Sequence, residues 1–530
     1  GLIGLDFAAE GPLGKNHKSS FLVNYRYSTV GLLSILGVPL GDEDIRYQDL
    51  AFNLYFPTEK VGTFTLFGMG GLSSNDFFGK ETDTADFRET STWKDFFDIS
   101  FRSNMGATGL THKIDFGWRA SIKSAIAYSG SYTSRRSQYL PLQMLHEGER
   151  NQQSRFSASS VLKYGIASGL YLKTGIYASQ LGYDLASFRY AAQAAPQIAG
   201  GKSTELLLQP FVNLKWNPIQ RLHLQVGLHG MRYSDFGAQA LEPRFRASLR
   251  LATQHKIHAG MSWHSQLQLP GTYFTLVQVP SSTGYLPVNR ELGFTRARHY
   301  TLNYDYYNHK LLRIRLEAYY QDLYDIPIVA DPSRTFSALN LIEGYVTEKL
   351  VNAGTGRNYG VELSLEQLLR KHYYYLLSGT IYRSLYTAGD GLERASRFDG
   401  RFATAAAMGY EWDRESRKGR QQIFGLNLRA VFRGGMREMP VDLAASRHNG
   451  NTVYNESDGF SEQLPNYFRL DLRFTFKRNR PGYTNTLGLD IQNLLNIKNA
   501  AYRIYDPAFD QVFLRNQLGI IPLLSYRMEF

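Results

Sequence analysis

Apolar and polar side chains alternate with a period of two along most of this chain. In "RLDLRFTFK", Leu470, Leu472, Phe474 and Phe476 fall on one side, and Arg469, Asp471, Arg473, Thr475 and Lys477 on the other. "RIRLEAYYQD" sets Ile314, Leu316, Ala318 and Tyr320 against Arg313, Arg315, Glu317 and Gln321. "GVELSLEQ" sets Val361, Leu363 and Leu365 against Glu362, Ser364 and Glu366. Successive side chains of a strand point to opposite faces, so each run predicts a strand with one greasy and one charged face. Soluble sandwiches alternate too, but their strands average about five or six residues. Many runs here reach about ten residues, the length a tilted strand needs to cross a bilayer. The closing segment, "GIIPLLSYRMEF", has the same form: Leu524, Tyr526, Met528 and Phe530 oppose Ser525, Arg527 and Glu529.

The connections between these runs alternate in length. Short ones lie near 11–18, 57–62, 119–123, 165–169, 217–221, 253–256, 308–310, 369–372, 413–419 and 478–482. Long ones lie near 28–46, 73–101, 135–153, 183–204, 234–241, 268–294, 325–356, 387–398, 434–464 and 495–518. Tight turns on one rim and long loops on the other predict an all-β transmembrane antiparallel β-barrel spanning 1–530. The connections imply 21 readable strands, the first and last running the same way. Antiparallel closure needs one more, so the expectation is 22 strands with the first largely upstream of Gly1. A barrel of that size encloses a lumen wide enough to need a plug.

Composition agrees with a barrel. Aromatics make up 14% of residues, with 36 Tyr and 32 Phe, yet the overall apolar share is only 43%. Mean hydropathy is −0.33, and no apolar run is long enough for a membrane helix. Cysteine is absent, which excludes disulfides, thiolate metal sites and cysteine nucleophiles in these residues. The net charge of +12 comes from scattered Lys and Arg, which favours anionic lipid or a polar lumen over nucleic acid as its partner. No signal peptide opens the chain; "GLIGLDFAAEG" reads as the middle of a strand.

Candidate chemistry is sparse. "AAPQIAGGKST" (194–204) hints at a phosphate loop, but Pro196 stands where glycine is required, so a Gly-rich outer loop is expected. His255, His258 and His264 do not converge as metal ligands must, and neither metal nor cofactor is expected. No nucleophile–histidine constellation suggests catalysis. Asp42, Glu43 and Asp44 form an acidic loop, and Arg135 and Arg136 are expected just past a strand end. Arg313, Arg315, Glu317, Glu362, Glu366, Asp471, Arg473, Asp490 and Gln492 point inward, and charges of both signs suit a docked polar plug better than an open channel. The two longest loops carry Tyr273, Phe274, Tyr285, Arg290, Arg334, Phe336 and Tyr345, residue types suited to capturing a solute or to anchoring the loops. Tyr27, Phe56, Tyr233, Tyr324, Tyr386 and Trp412 suit interfacial girdles.

The order of several segments resembles a known family. "DFAAEGPLGKNHKSSFLVNYRYS" resembles the early hairpin of TonB-dependent receptor barrels, and "LPVNRELGF" their loop-to-strand segment. "GRNYGVELSLE", "LPNYFRLDLRFTF" and "LGLDIQNLLNIKN" resemble later strands, and Phe530 the terminal assembly signal. The branch most similar is that of Bacteroidota. The resemblance implies an outer-membrane active importer of a bulky, scarce solute. It implies a plug domain upstream in cis, the inner-membrane TonB complex, and outer-membrane lipid and lipopolysaccharide as partners. Surface lipoproteins or other outer-membrane subunits are further candidate partners. A docking barrel in a larger assembly, or a passive pore, are the other readings.

Overall fold

Backbone groups inside hydrocarbon must all pair, and long alternating segments in series achieve this by lying beside their sequence neighbours. A computed structural model of the chain shows that arrangement. It describes all residues except 1–3, 15–17, 29–42, 81–92, 190–196, 235–236, 279–283, 309–311, 343–344, 416–420 and 508. Asp42 and Pro196 therefore lie outside the described residues.

The wall opens with β1 (Gly4–Leu13), β2 (Ser19–Ser28), β3 (Glu43–Pro57), β4 (Thr63–Phe77), β5 (Phe97–Phe116) and β6 (Ala120–Tyr139). It continues through β7 (Met144–Ala167), β8 (Leu170–Arg189), β9 (Gln197–Ile219), β10 (Leu222–Tyr233), β11 (Gln239–Ala252) and β12 (His255–Gln266). After a small ribbon of β13 (Leu276–Gln278) and β14 (Tyr285–Pro287) come β15 (Thr295–Tyr307), β16 (Leu312–Val329), β17 (Leu350–Arg370) and β18 (Tyr373–Thr387). The short β19 (Glu393–Ala395) precedes β20 (Phe402–Glu415) and β21 (Gln421–Arg433). A ribbon of β22 (Arg437–Glu438) and β23 (Glu462–Gln463) leads to β24 (Tyr467–Arg480) and β25 (Tyr483–Gln492). A third ribbon, β26 (Ala500–Asp506) and β27 (Gln511–Asn516), precedes the last strand, β28 (Ile521–Glu529).

The wall is one 22-stranded antiparallel sheet. β19 pairs only with the end of β18, whose remainder pairs with β20, so β19 and β20 share one column. That leaves the 21 spanning strands expected. β1 and β28 run in the same direction, and among the described residues no ladder joins them.

Register carries the two faces across the sheet. Leu302, Ala318 and Val361 follow one another along a row, as do Leu426, Phe474 and Leu489. The apolar face is the exposed one: Leu302 is 56% and Ile381 76% accessible. Charges instead face the enclosed side, where Asp305 is 2% accessible. This inside-out arrangement suits lipid outside and water within. Aromatic rows mark both edges of the apolar band. Tyr300, Tyr320 and Tyr359 stand 6.4 Å apart in sequence near the loop rim. Trp412 stacks on Phe424 at 5.6 Å near the turn rim.

Three expectations need correction. Connection 135–153 is not a long loop. β6 and β7 continue to Tyr139 and from Met144, and Arg135 and Arg136 lie inside β6 opposite Glu149 and Gly148. Residues 197–204 are likewise strand, with Gly201 opposite Leu185. β5 to β9 are 20 to 24 residues long, more than the bilayer requires. Their outer ends extend past the bilayer, where no contrast between lipid and lumen sorts the two faces, so alternation is lost and strand reads as loop. Finally, Tyr233 and Tyr386 are not girdle residues: they are 4% and 0% accessible and belong to loop-rim clusters.

Those clusters are the molecule's apolar core, and they sit at the loop rim. Leu185, Tyr273, Phe274, Leu292, Val346 and Leu350 form one. Leu181, Leu207, Met231, Tyr233 and Phe294 form another. Tyr386, Ala388 and Phe460 form a third. Where loops cross, backbones nearly touch: a Cβ on Gly434 would meet the Gly400 carbonyl oxygen at 1.7 Å, so only glycine fits.

Candidate functional site: the outer mouth and the lumen wall

The outer mouth is built on the long connections flanking β12 and β17. In the first, Pro270–Tyr273 forms a helical turn that drives Tyr273 and Phe274 into the apolar cluster. They are 7% and 3% accessible, so the structure places them within the loop core. Phe336 packs against the same cluster. Arg290 lies over the Phe274 ring at 4.8 Å, and Tyr285, on the β13–β14 ribbon, is 37% accessible. Arg334 ties loops together, meeting Glu348 at 2.7 Å and Glu456 at 2.6 Å. The Thr335 hydroxyl donates to the Glu456 carbonyl. Tyr345 donates its hydroxyl to Glu149 at 3.1 Å. Burial and that carboxylate both push the phenol above its ordinary range.

Two asparagines fasten this mouth. Asn289, 1% accessible, donates to the Glu348 carbonyl at 2.9 Å and accepts from the Leu350 amide at 2.7 Å. Asn352 accepts from the Gly293 amide at 2.8 Å and donates to the Asp325 carbonyl at 2.7 Å. In the neighbouring loop Asp399, fully buried, accepts from the Ser384 amide at 2.9 Å and pairs with Arg383 at 3.2 Å.

On the lumen wall of β15 and β16, charges converge on a residue the sequence reading missed. Asp305 pairs with Arg315 at 2.8 Å, Arg313 at 3.6 Å and His258 at 3.2 Å. Arg313 also reaches Glu366 at 3.8 Å. Farther round, Arg473 meets Asp490 at 3.5 Å, and Asp471 pairs with Arg469 at 2.6 Å and accepts from the Asn493 amide. Six of the eight charged inward-facing candidates are thus paired within the wall. The other two, Glu317 and Glu362, stand directly opposite each other in the β16–β17 ladder. Neither makes an ion pair among the described residues; Glu362 accepts from the Ser364 hydroxyl at 3.3 Å. Both line a lumen concavity of about 650 Å³ with Tyr319, Gln321, Asn358 and Tyr382.

Histidine chemistry is structural in character. His258 meets Ser248 at 2.7 Å, and His255 meets Tyr304 at 2.7 Å. The His264 and His299 rings lie tilted to each other with centroids 4.7 Å apart. Among the described residues no group of three or more His, Asp or Glu is placed to hold a metal ion. Asp305 could have been found, since it is the lone inward carboxylate in "TLNYDYYN" between outward aromatics. Asn289, Asn352, Asp399 and Glu456 carry no such signal, because their partners come from distant loops.

Comparison with known proteins points one way. The sequence profile described as "TonB dependent receptor-like, beta-barrel" matches residues 38–494. No curated protein matches the sequence. Among solved structures, the pyoverdine outer membrane receptor FpvA of Pseudomonas aeruginosa PAO1 superposes with a TM-score of 0.72 at 10% identity, over 99% of this chain and 76% of that one. The ferric yersiniabactin uptake receptor FyuA of Yersinia pestis gives 0.67 at 13%, over 99% and 78%. The ferric preacinetobactin receptor BauA of Acinetobacter baumannii gives 0.65 at 13%, over 99% and 78%.

Proposed function

Since the chain belongs to the TonB-dependent receptor β-barrel family, whose members are outer-membrane transporters of bulky solutes and not enzymes, we propose specific roles for its two surfaces. TonB, a plug domain and outer-membrane lipid are the partners that membership brings. The cargo is a large chelate of the siderophore kind, the class named for the similar receptors. At the mouth, Tyr285 and Arg290 contact it. Tyr273, Phe274, Arg334 and Phe336 hold the platform on which those two stand.

In the lumen, Arg313, Arg315, Glu317, Glu362, Glu366, Asp471, Arg473 and Asp490 face the plug. Glu317 and Glu362 form its principal anchor. Two carboxylates opposed on one ladder repel each other unless cations join them, and among the described residues neither makes an ion pair; the nearby Arg315 is taken up by Asp305. Cationic side chains of a plug would fill the 650 Å³ concavity and neutralise the pair. A further antiparallel strand of the native protein would lie between β1 and β28, whose like directions leave room for one.

The observation that carries this reading is the sheet itself: 21 columns, apolar outside and charged inside, with loop-rim cores at one end. Cells lacking TonB should lose uptake of the cargo while still binding it at the surface; uptake unaffected by TonB would reject the reading. A second reading, a docking surface for a lipoprotein or another outer-membrane subunit, is favoured by the β26–β27 ribbon. It displays Tyr502 and, beyond it, Leu518, 52% and 79% accessible. Native purification without stoichiometric companions would dismiss it.

A further inference from the structure

The turn-rim half of the wall from β5 to β11 presents cations without matching anions. Alternation points Lys113, Lys123, Lys163, Lys173, Lys215 and Arg246 into the lumen. The register sets Lys113 opposite Lys123, and Lys163 opposite Lys173. Gln225 lies opposite both Lys215 and Arg246, on its two sides. Among the described residues only Lys113 of the six makes an ion pair, with Asp115 at 2.8 Å. Like charges directly opposite one another destabilise a sheet, so their recurrence across neighbouring strands is costly to the fold alone.

A groove follows the same arc. Two concavities, of about 580 and 270 Å³, adjoin and share Lys215 and Gln225. They run from Trp118 and Arg119 at a rim turn to Arg246 and His258 higher on the wall, and the one carboxylate among their described lining residues, Asp115, is the partner of Lys113. A concave surface lined mainly by one sign of charge concentrates counter-ions. Lysine supplies mobile point charges in place of the rigid fork by which arginine grips an anion. Such a row binds an anion loosely enough to hand it on.

We propose that this groove is a track for a polyanion, a solute carrying several carboxylate or phosphate groups, along the side of the lumen opposite in character to the Glu317–Glu362 anchor. The direction of passage rests on the importer reading; the binding does not. The full-length protein in lipid nanodiscs, titrated with inorganic tripolyphosphate in a calorimeter, tests it. Saturable binding should weaken with added salt. It should fall about tenfold in the triple variant Lys163→Gln, Lys173→Gln, Lys215→Gln and stay unchanged in Arg447→Gln, an exposed cation of the loop rim paired with Asp510. A neutral oligosaccharide of similar size should give no binding. If the triple variant fails to fold, Lys173→Gln alone should weaken binding about threefold. Absence of saturable binding, as when an acidic plug face covers the groove, or equal affinity in the lysine variants, would overturn the inference. Either failure leaves TonB-dependent uptake, measured separately, as the test of the importer.

Discussion

Two arcs of the same wall treat charge in opposite ways. From β15 to β17 and again at β24 and β25, arginines stand within 4 Å of carboxylates, and Asp305 alone engages two arginines and His258. From β5 to β11, toward the turn rim, lysines stand in rows with a single ion pair among six cations. The net charge of +12 is therefore not an evenly spread excess. One arc neutralises itself, apart from the glutamate pair left for a partner. The other keeps a positive field facing water. Self-neutralised wall suits a fixed polar neighbour; unpaired wall suits mobile anions.

The largest way to break this contrast is Asp305→Ala. It strips one carboxylate from two arginines and His258 on the paired arc and should cost about 3 kcal/mol, the low end for a broken buried pair because the arginines are part-exposed. Chemical unfolding from micelles reads it. On the lipid face of that arc, Leu472→Arg should cost about 2–4 kcal/mol at mid-membrane, whereas Arg473→Leu, one residue on, should cost less than half as much. Equal costs would mean the two faces are not sorted. Asn289→Ala leaves a buried carbonyl and amide without partners and should lower loop-rim stability by about 1–3 kcal/mol, with the lumen arcs untouched; limited proteolysis of the loops reports it. On the cationic arc, Lys173→Ala should change stability by no more than about 0.5 kcal/mol. A loss as large as that of Asp305→Ala would show that these lysines serve the fold.

The smallest effect is one of pH at the mouth. A hydrogen bond from Arg394 holds the Asp390 carboxyl below its ordinary range, at an N–O distance of 2.6 Å. A depressed folded pKa stabilises above the unfolded value of about 4 and is lost as pH falls through the folded one. Asp390→Asn should therefore abolish a stability step of under about 1 kcal/mol below pH 4, leaving neutral pH behaviour nearly unchanged.

The wall was legible wherever membrane and lumen impose different solvents on the two faces. β16, β17 and β24 announced themselves through Leu316, Val361 and Leu472 against Glu317, Glu362 and Arg473. The outer ends of β6 and β9 did not, since Arg135 and Gly201 lie past the stretch a bilayer requires, and there the loop core, with Phe274 against Gly201, replaces the contrast of lipid and lumen. At the mouth, aromatic and basic types singled out two loops but not what their side chains do within the fold. Tyr273 and Phe274 became core because a helical turn folds them inward, and Arg334 became a staple because Glu456 arrives from a loop 122 positions away. Such meetings depend on topology, and no local pattern encodes them. The cationic groove was hidden for a related reason. Its lysines are scattered along the sequence and become a row only through registers that join β5 to β11.

These residues contain no cysteine, so single thiols can be placed in each arc and read cleanly. The direct test compares Lys173→Cys with Ser364→Cys, beside Glu362, in the native protein, using a charged, membrane-impermeant maleimide from the periplasmic side. The account predicts labelling at least about tenfold faster at position 173, with position 364 shielded until TonB is energised. Equal rates, or faster labelling at 364 in the resting state, would contradict it.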